Sequence, residues 1–319
     1  MSSSISKILR YITHPGLIVD RYRLKKAHKN GDFKTVAAIY YKRQFGREIN
    51  WESPEDINQW INWLEFNTDT TEWSILADKY RMREFVTDRG CGDHLVKVLA
   101  VWDKPEEISF EELPDKFVLK ANNGCGDVLI VKDKSQADVE EVKTYFKNIF
   151  SKEFGKYTAE PHYLRIKPVI IAEEMLDPAK QEGVSSSLID YKFWCFNGKP
   201  VLCFTCSDRT KKYFTTDVYT AADWRRVDEE YGVHDGLHIL KAKKPMSRPT
   251  QLDKMLEIAT TLSKGYPQMR VDFYQVDGKV YVGELTMTSA CGRMDYFTPE
   301  CLTMMGQHCK KAVEELKIR

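Results

Sequence analysis

The sequence predicts an α+β fold built on antiparallel strands, and three stretches carry that expectation. Residues 116-KFVLKANNGCGDVLIVKD-133 read as strand, Gly-rich turn, strand. Residues 188-LIDYKFWCFNGKPVLCFTCSDR-209 form a hairpin around Asn197-Gly198, and 270-RVDFYQVDGKVYVGELT-286 form another that contains Asp277-Gly278. Asn-Gly and Asp-Gly are the dipeptides that two-residue hairpin turns prefer. Strands joined by such short turns must pair antiparallel, which argues against a doubly wound parallel sheet.

The elements follow in order. Residues 5–45 are basic and helical in pieces, interrupted at Pro15-Gly16 and at Asn30-Gly31-Asp32. Ser53-Pro54-Glu55-Asp56 is a helix start, with Ser53 as the cap and acids near the positive helix end. The helix that follows carries Ile57, Trp60, Ile61 and Leu64 on one stripe. A second helix is expected over 76–86, a strand or short buried element over 94–102, and a linker over 106–113. After the Gly-rich turn, a helix from Ser135 to about Glu153 is marked by Val139, Val142, Phe146 and Ile149 at helical spacing. Residues 168–175 (PVIIAEEM) read as a strand, 210–247 as irregular and polar, and 250–265 as a helix stopped by Gly265. A last helix begins near Pro299.

Composition narrows the function. The 319 residues carry a net charge of +1, so no global field favours nucleic acid. Only the first 47 residues are strongly basic, with 11 Lys and Arg against two Asp and Glu. No apolar run approaches the roughly 18 residues of a spanning helix, and the N-terminal stretch is a poor signal peptide. Eight scattered cysteines suit free buried thiols in a reducing compartment. The pair Cys203 and Cys206 lies inside a strand and supplies half a zinc site at most.

The Gly-rich turn has two readings. Gly124 and Gly126 let the backbone turn tightly and expose N–H groups that can cradle phosphate, with Lys120 in reach as a point charge. A plain hairpin turn is the alternative. No Lys-Ser/Thr pair closes the loop as in a Walker A motif, and a strand follows where a dinucleotide-binding fold needs a helix. Taken alone, the turn fits the plain hairpin better; Lys120 in a core-like strand is harder to dismiss, because lysine avoids burial unless paired.

Taken in order, FVLKANNGCG, PVIIAEEML, IDYKFWCFNGKP and RVDFYQVDGKVYVGELT resemble the ATP-grasp superfamily. More narrowly, they and the phrases DKYRMREFV and LPDKFVLKANNGCG resemble its TupA-like branch, associated with teichuronopeptide and other cell-surface polysaccharide biosynthesis. The resemblance runs over about residues 75–295. It implies two α+β subdomains clasping ATP, preceded by a largely helical N-terminal region. The expected divisions are 1–75 (basic and helical), 76–115 (acceptor-side or linking), 116–175 (first subdomain) and 176–319 (second subdomain with the metal site).

The resemblance also implies roles. Lys120 matches a phosphate-contacting lysine, and the loop holding Asn123, Gly124 and Gly126 matches the mobile cover of the triphosphate. The adenine-binding segment ends in Glu173, Glu174 and Met175, with either glutamate as the one that recognises the amino edge. Lys192 matches the basic strand position of the second subdomain, and Asp272 and Glu284 match the metal-binding acids. Thr286 stands where many members have Asn as a third metal ligand, and the loop 287-MTSACGRMDYF-297 departs from a Pro-Gly segment near the acceptor.

The residue chemistry agrees with that assignment. Mg²⁺ favours one or two carboxylates plus phosphate oxygens and water. Lys120, Lys192, Arg209 and Arg270 are candidate cations for the phosphates or a developing acyl phosphate, Arg209 and Arg270 having local ion pairs as their alternative. Arg81 and Arg83 are further candidates, for an acidic acceptor. The expected activity is an ATP- and Mg²⁺-dependent carboxylate–amine ligase, its carboxylate a uronic acid, glycan, amino acid or peptide and its amine donor an amino acid. A glycosyltransferase-like polysaccharide enzyme and a non-catalytic nucleotide- or glycan-binding module are the competing readings. The expected place is the cytoplasm. Residues 5–47 offer either a contact with an anionic membrane face or glycan, or a plain solvated helical face.

The last hairpin sets a condition on the metal assignment. A two-residue Asp277-Gly278 turn pairs Val276 with Lys279 and sends Glu284 to the face opposite Asp272. Shared metal binding therefore predicts a three-residue loop, Val276 to Gly278, with Gly278 bulged and Gln275 opposite Lys279. In that register Arg270 lies opposite Glu284. Arg270, Asp272, Glu284 and Thr286 share one face, and Val271, Phe273, Tyr281 and Leu285 share the other.

Overall fold

A computed structural model describes residues 16–227, 232–233 and 238–318. The expected helical pieces before residue 16 lie outside that range. Helices α1 (Gly16–Asn30) and α2 (Phe33–Phe45) form a hairpin whose turn holds Gly31 at φ 67, with Asp32 capping α2 through the Thr35 N–H. The cap of helix α3 (Ile57–Asn67) lies three residues beyond the expected Ser53, because Asp56 accepts from the Gln59 N–H.

The single helix expected over 76–86 is two. α4 (Trp73–Leu76) ends before Asp78, whose carboxylate takes the Tyr80 and Arg81 N–H groups, and α5 (Met82–Asp88) starts anew. Such local bonds compete with the helix ladder. The same competition moves the start of α6 (Val139–Phe150): Asp138 is its cap, and Ser135 closes a preceding turn with Asp133.

The first sheet has four antiparallel strands in the order β1-β4-β2-β3, with β1 (Val98–Trp102), β2 (Phe117–Ala121), β3 (Val128–Val131) and β4 (Ile170–Glu174). Phe117, Leu119 and Ala121 alternate onto one face and share a core with Val142, Phe146 and Ile149 of α6.

The second sheet has six strands in the order β10-β9-β5-β6-β7-β8. They are β5 (Asp190–Phe196), β6 (Lys199–Ser207), β7 (Phe214–Thr220), β8 (Ile239–Lys241), β9 (Met269–Val276) and β10 (Lys279–Thr286). Only β7 and β8 run parallel among these pairs, and both occupy the stretch expected to be irregular. β7 is buried by pairing with β6, a non-local gain that its own polar sequence does not announce.

Helices α7 (Leu252–Ser263) and α8 (Pro299–Glu315) share the core of this second sheet, and α3 joins them. α7 lies on the face of Val271 and Phe273, where the Gln251 N–H meets Gln275 Oε1 at 3.3 Å. Cys203 pairs with Phe193 and Cys206 with Asp190, so the two thiols of the CxxC point to opposite faces of β6 and cannot share a metal.

The hairpin β9–β10 corrects the expected register. Its turn has two residues, Asp277 at φ 54 and Gly278 at φ 70, and Val276 pairs with Lys279. The extra residue sits further along, at Gly283, between the pairs Val282–Phe273 and Glu284–Asp272. Glu284 is therefore opposite Asp272, and Thr286 opposite Arg270. All four share one face, as the metal reading requires, but Tyr281 pairs with Tyr274 and belongs to that face rather than to the opposite one. Only glycine fits at this bulge without a shift, because a Cβ there would lie 2.8 Å from the Tyr274 ring.

Candidate active site

Two polar faces carry the candidate residues. On the first sheet, Lys120 and Val118 point away from α6. The register sets Glu173 opposite Val118 and Ile171 opposite Lys120, so Lys120 and Glu173 share a face, and Lys120 Nζ stands 2.6 Å from Glu173 Oε2. Arg83 of α5 completes the group: Nη1 is 3.6 Å from Glu173 Oε1, and Nη2 donates to the Val96 carbonyl at 2.6 Å. Arg83 is thus spent on Glu173 and on backbone. Glu174 is exposed on the other face of the strand, and Met175 follows directly after β4. Val128 and Ile130, paired with Lys120 and Val118, are 39% and 60% exposed and form an apolar strip beside the lysine.

The Gly-rich turn closes with the Ala121 N–H on the Asp127 carbonyl at 3.2 Å. Gly126 takes φ 79, and a Cβ at Gly124 would collide with the Asp127 carboxylate. Asn123 is nearly buried and Cys125 is exposed. Asn122 is structural: its amide bridges the Lys167 carbonyl and the Val169 N–H.

On the second sheet, adjacent strands place Lys192 opposite Asp272 and Asp272 opposite Glu284 in one row. Lys192 Nζ lies 2.5 Å from Asp272 Oδ2 and 3.5 Å from Asp190 Oδ2. Arg270 grips Asp272 with two bonds, Nε to Oδ1 at 2.7 Å and Nη2 to Oδ2 at 2.8 Å, and stands 3.6 Å from Glu284 Oε2. Arg209 extends the row through Asp190 at 2.7 Å. Burial opposes the charge of Asp272, but Arg270 and then Lys192 outweigh it and hold its carboxyl below the usual range. Burial likewise opposes the charges on Lys192 and Arg270, which their acid partners override. Asp190, with burial second, pushes the Tyr274 hydroxyl well up.

Lys79 joins the two faces, and sequence reasoning missed it. Its Nζ donates to the Gly124 carbonyl at 2.5 Å and stands 3.7 Å from Glu284 Oε1, while its N–H bonds the Asn122 carbonyl. The signal it carries in the sequence is its place in DKYRMR, next to Arg81 and Arg83.

The donor set suits a hard cation. Asp272 and Glu284 are cross-strand neighbours, and Thr286 Oγ1, two residues along the same face, is buried without a hydrogen-bond partner among the described residues. Two carboxylates and a free hydroxyl match the oxygen ligands that Mg²⁺ takes alongside phosphate and water.

The TupA-like ATPgrasp family matches residues 59–310. No curated protein matches the chain. Among solved structures, the VanG D-Ala:D-Ser ligase of Enterococcus faecalis is similar at 15% identity and a TM-score of 0.45, over 83% of this chain and 69% of that one. The D-alanine–D-alanine ligase of Helicobacter pylori gives 14% identity and a TM-score of 0.43, over 80% and 69%. The ATP-grasp ligase PsnB, complexed with a minimal precursor, Mg and ADP, gives 11% and 0.39, over 92% and 74%. With its family matched over most of its length, the chain belongs to the TupA-like ATP-grasp family and is an ATP-grasp ligase.

Proposed function

We propose that this chain joins a carboxylate to an amine, with a uronic acid of a surface polysaccharide as the carboxylate and an amino acid as the amine. One observation carries the reading: the facing carboxylates Asp272 and Glu284 are ringed by Lys79, Lys192 and Arg270, and Lys79 reaches from there to the Gly-rich turn. That is the arrangement a polyphosphate and its counter-ion need.

In this reading Lys120, Lys79 and the turn at Asn123, Gly124 and Gly126 hold the phosphates. Val128 and Ile130 give the base an apolar wall, and Glu173, on the same face, is the glutamate placed to meet its amino edge; Met175 lies at the end of that segment. Asp272, Glu284 and Thr286 would hold Mg²⁺, which neutralises phosphate charge when bound. Arg270 and Lys192 then orient the γ-phosphoryl group, and Arg209 orients Asp190. A carboxylate oxygen attacks the γ-phosphorus and the bond to ADP breaks. The amine attacks the acyl phosphate, the C–O bond to phosphate breaks, and the departing phosphate takes the proton the amine nitrogen loses.

The basic helices support a peripheral role at an anionic membrane face or glycan in the cytoplasm. Tyr22 is 70% exposed on α1, with Arg23 and Lys26 exposed beside it. No described helix is long and apolar enough to cross a membrane.

The test is ADP release with Mg²⁺ and ATP, using D-glucuronate or D-galacturonate with and without glycine or L-glutamate, and hydroxylamine as a trap. Carboxylate-dependent ADP and a hydroxamate are expected. Consumption of a UDP-sugar with no ADP would overturn the reading.

A further inference from the structure

The segment between β10 and α8 is bent in an unusual way. Ala290, Cys291 and Gly292 all take positive φ, at 46, 55 and 63. Non-glycine residues hold this left-handed conformation only where their surroundings over-determine it. Helix α3 supplies part of that surrounding. Asn58 pairs with the Met294 backbone through both halves of its amide: Nδ2 donates to the carbonyl at 2.9 Å, and Oδ1 accepts the N–H at 2.8 Å. One turn later, Asn62 Nδ2 donates to the Gly292 carbonyl at 3.1 Å. Both asparagines are buried, and a Cβ on Gly292 would collide with the Asn62 amide. Other holds are Thr288 on Glu160 Oε1 at 2.5 Å, Gln268 on the Met287 carbonyl at 2.5 Å and Arg293 on the Thr158 carbonyl at 3.2 Å.

This bend adjoins the charge row. Ser289, its first residue, has Oγ 3.4 Å from Arg270 Nη1, and the next residue, Ala290, is exposed. We infer that Asn58 and Asn62 are positioning residues, which lock residues 288–294 into a rigid seat for the acceptor carboxylate beside Arg270. The role of the seat rests on the ligase reading; the lock itself does not.

Two measurements separate these. Hydrogen exchange of the 287–295 backbone, on the full chain without ligand, is expected to quicken by about tenfold in Asn58→Ala and Asn62→Ala, with 269–286 unchanged. In ADP release with D-glucuronate and L-glutamate, KM for glucuronate rises by about tenfold while KM for ATP stays within about twofold. Gly292→Ala, which pushes on Asn62 from the loop side, gives the same split and carries the test if Asn58→Ala fails to fold. Unchanged exchange in the variants overturns the lock. Both KM values rising together overturn the positioning role. Wild-type protein that releases no ADP with any uronic acid sinks the ligase reading, and exchange still decides whether the lock exists.

Discussion

Asp272 and Glu284 face each other across the β9–β10 hairpin because one residue between them, Gly283, is bulged out of register. Without that bulge the two-residue turn would send the carboxylates to opposite faces of the sheet. Gly283→Ala is therefore expected to do more than remove flexibility. Its Cβ meets the Tyr274 ring at 2.8 Å, so stability falls by about 1–3 kcal/mol and ADP release falls with it. Gly278→Ala, in open space at φ +70, costs about 1–2 kcal/mol and leaves ADP release intact in the folded fraction. Urea titration beside the activity assay distinguishes the two.

Neutralising either acid should separate nucleotide chemistry from folding. Asp272→Asn and Glu284→Gln are each expected to lower Mg²⁺-dependent ADP release by about 100-fold or more. They differ in stability. Asp272 is buried and its neutralisation removes the nearest acid from both Lys192 and Arg270, for about 3–5 kcal/mol, whereas Glu284 is partly exposed and its neutralisation costs far less. ADP formation unchanged in both variants would exclude them as metal ligands.

Lys79→Ala should act on nucleotide affinity. A hydrogen bond to a charged group is worth about 1.5–3 kcal/mol, so KM for ATP rises by about 10- to 100-fold. Since Lys79 also ties the Gly-rich turn to Glu284, exchange at 122–127 should quicken in the variant. An unaltered KM for ATP counts against its placement at the phosphates.

A buried pair near the 288–294 bend predicts opposite acid and alkaline limbs. His162 Nδ1 and Glu65 Oε1 are 2.9 Å apart, with Glu160, Arg165 and Arg293 around them. Burial lowers the His162 pKa from 6.5 to about 4. The unfolded chain therefore binds the extra proton first, and up to about 3 kcal/mol is lost as pH falls from 6.5 to 4. Burial, then Glu160, raises Glu65, whose contribution is full below its unfolded pKa and is lost as pH rises through the raised value. His162→Asn should flatten the acid limb of Tm against pH, and Glu65→Gln the alkaline limb. Parallel curves for wild type and both variants would refute the assignment.

Much of the fold was legible because it rests on local chemistry. The Asn197-Gly198 turn, the Gly-rich turn after Lys120, and the start of α8 at Pro299 are each dictated by a few adjacent residues. β7 is not legible because its burial comes from β6, and the helix expected over 76–86 breaks because Asp78 turns its carboxylate on its own backbone. Glu173 and Glu174 were inseparable until pairing with β2 gave one of them the face of Lys120.

By itself, the sequence determined the three antiparallel hairpins, the order of most other elements and the types of residue available for phosphate and metal. The tertiary structure decided which of them meet. The pairing of β9 with β10 puts the bulge at Gly283 rather than Gly278, a choice the residues leave open because either shifts the parity of the strand by one. Lys79 lies 205 positions from Glu284, and Asn58 lies 236 from Met294. Residue periodicity reports which face a side chain takes, but it carries no distance between segments that far apart; the shared core of α3, α8 and the second sheet supplies it.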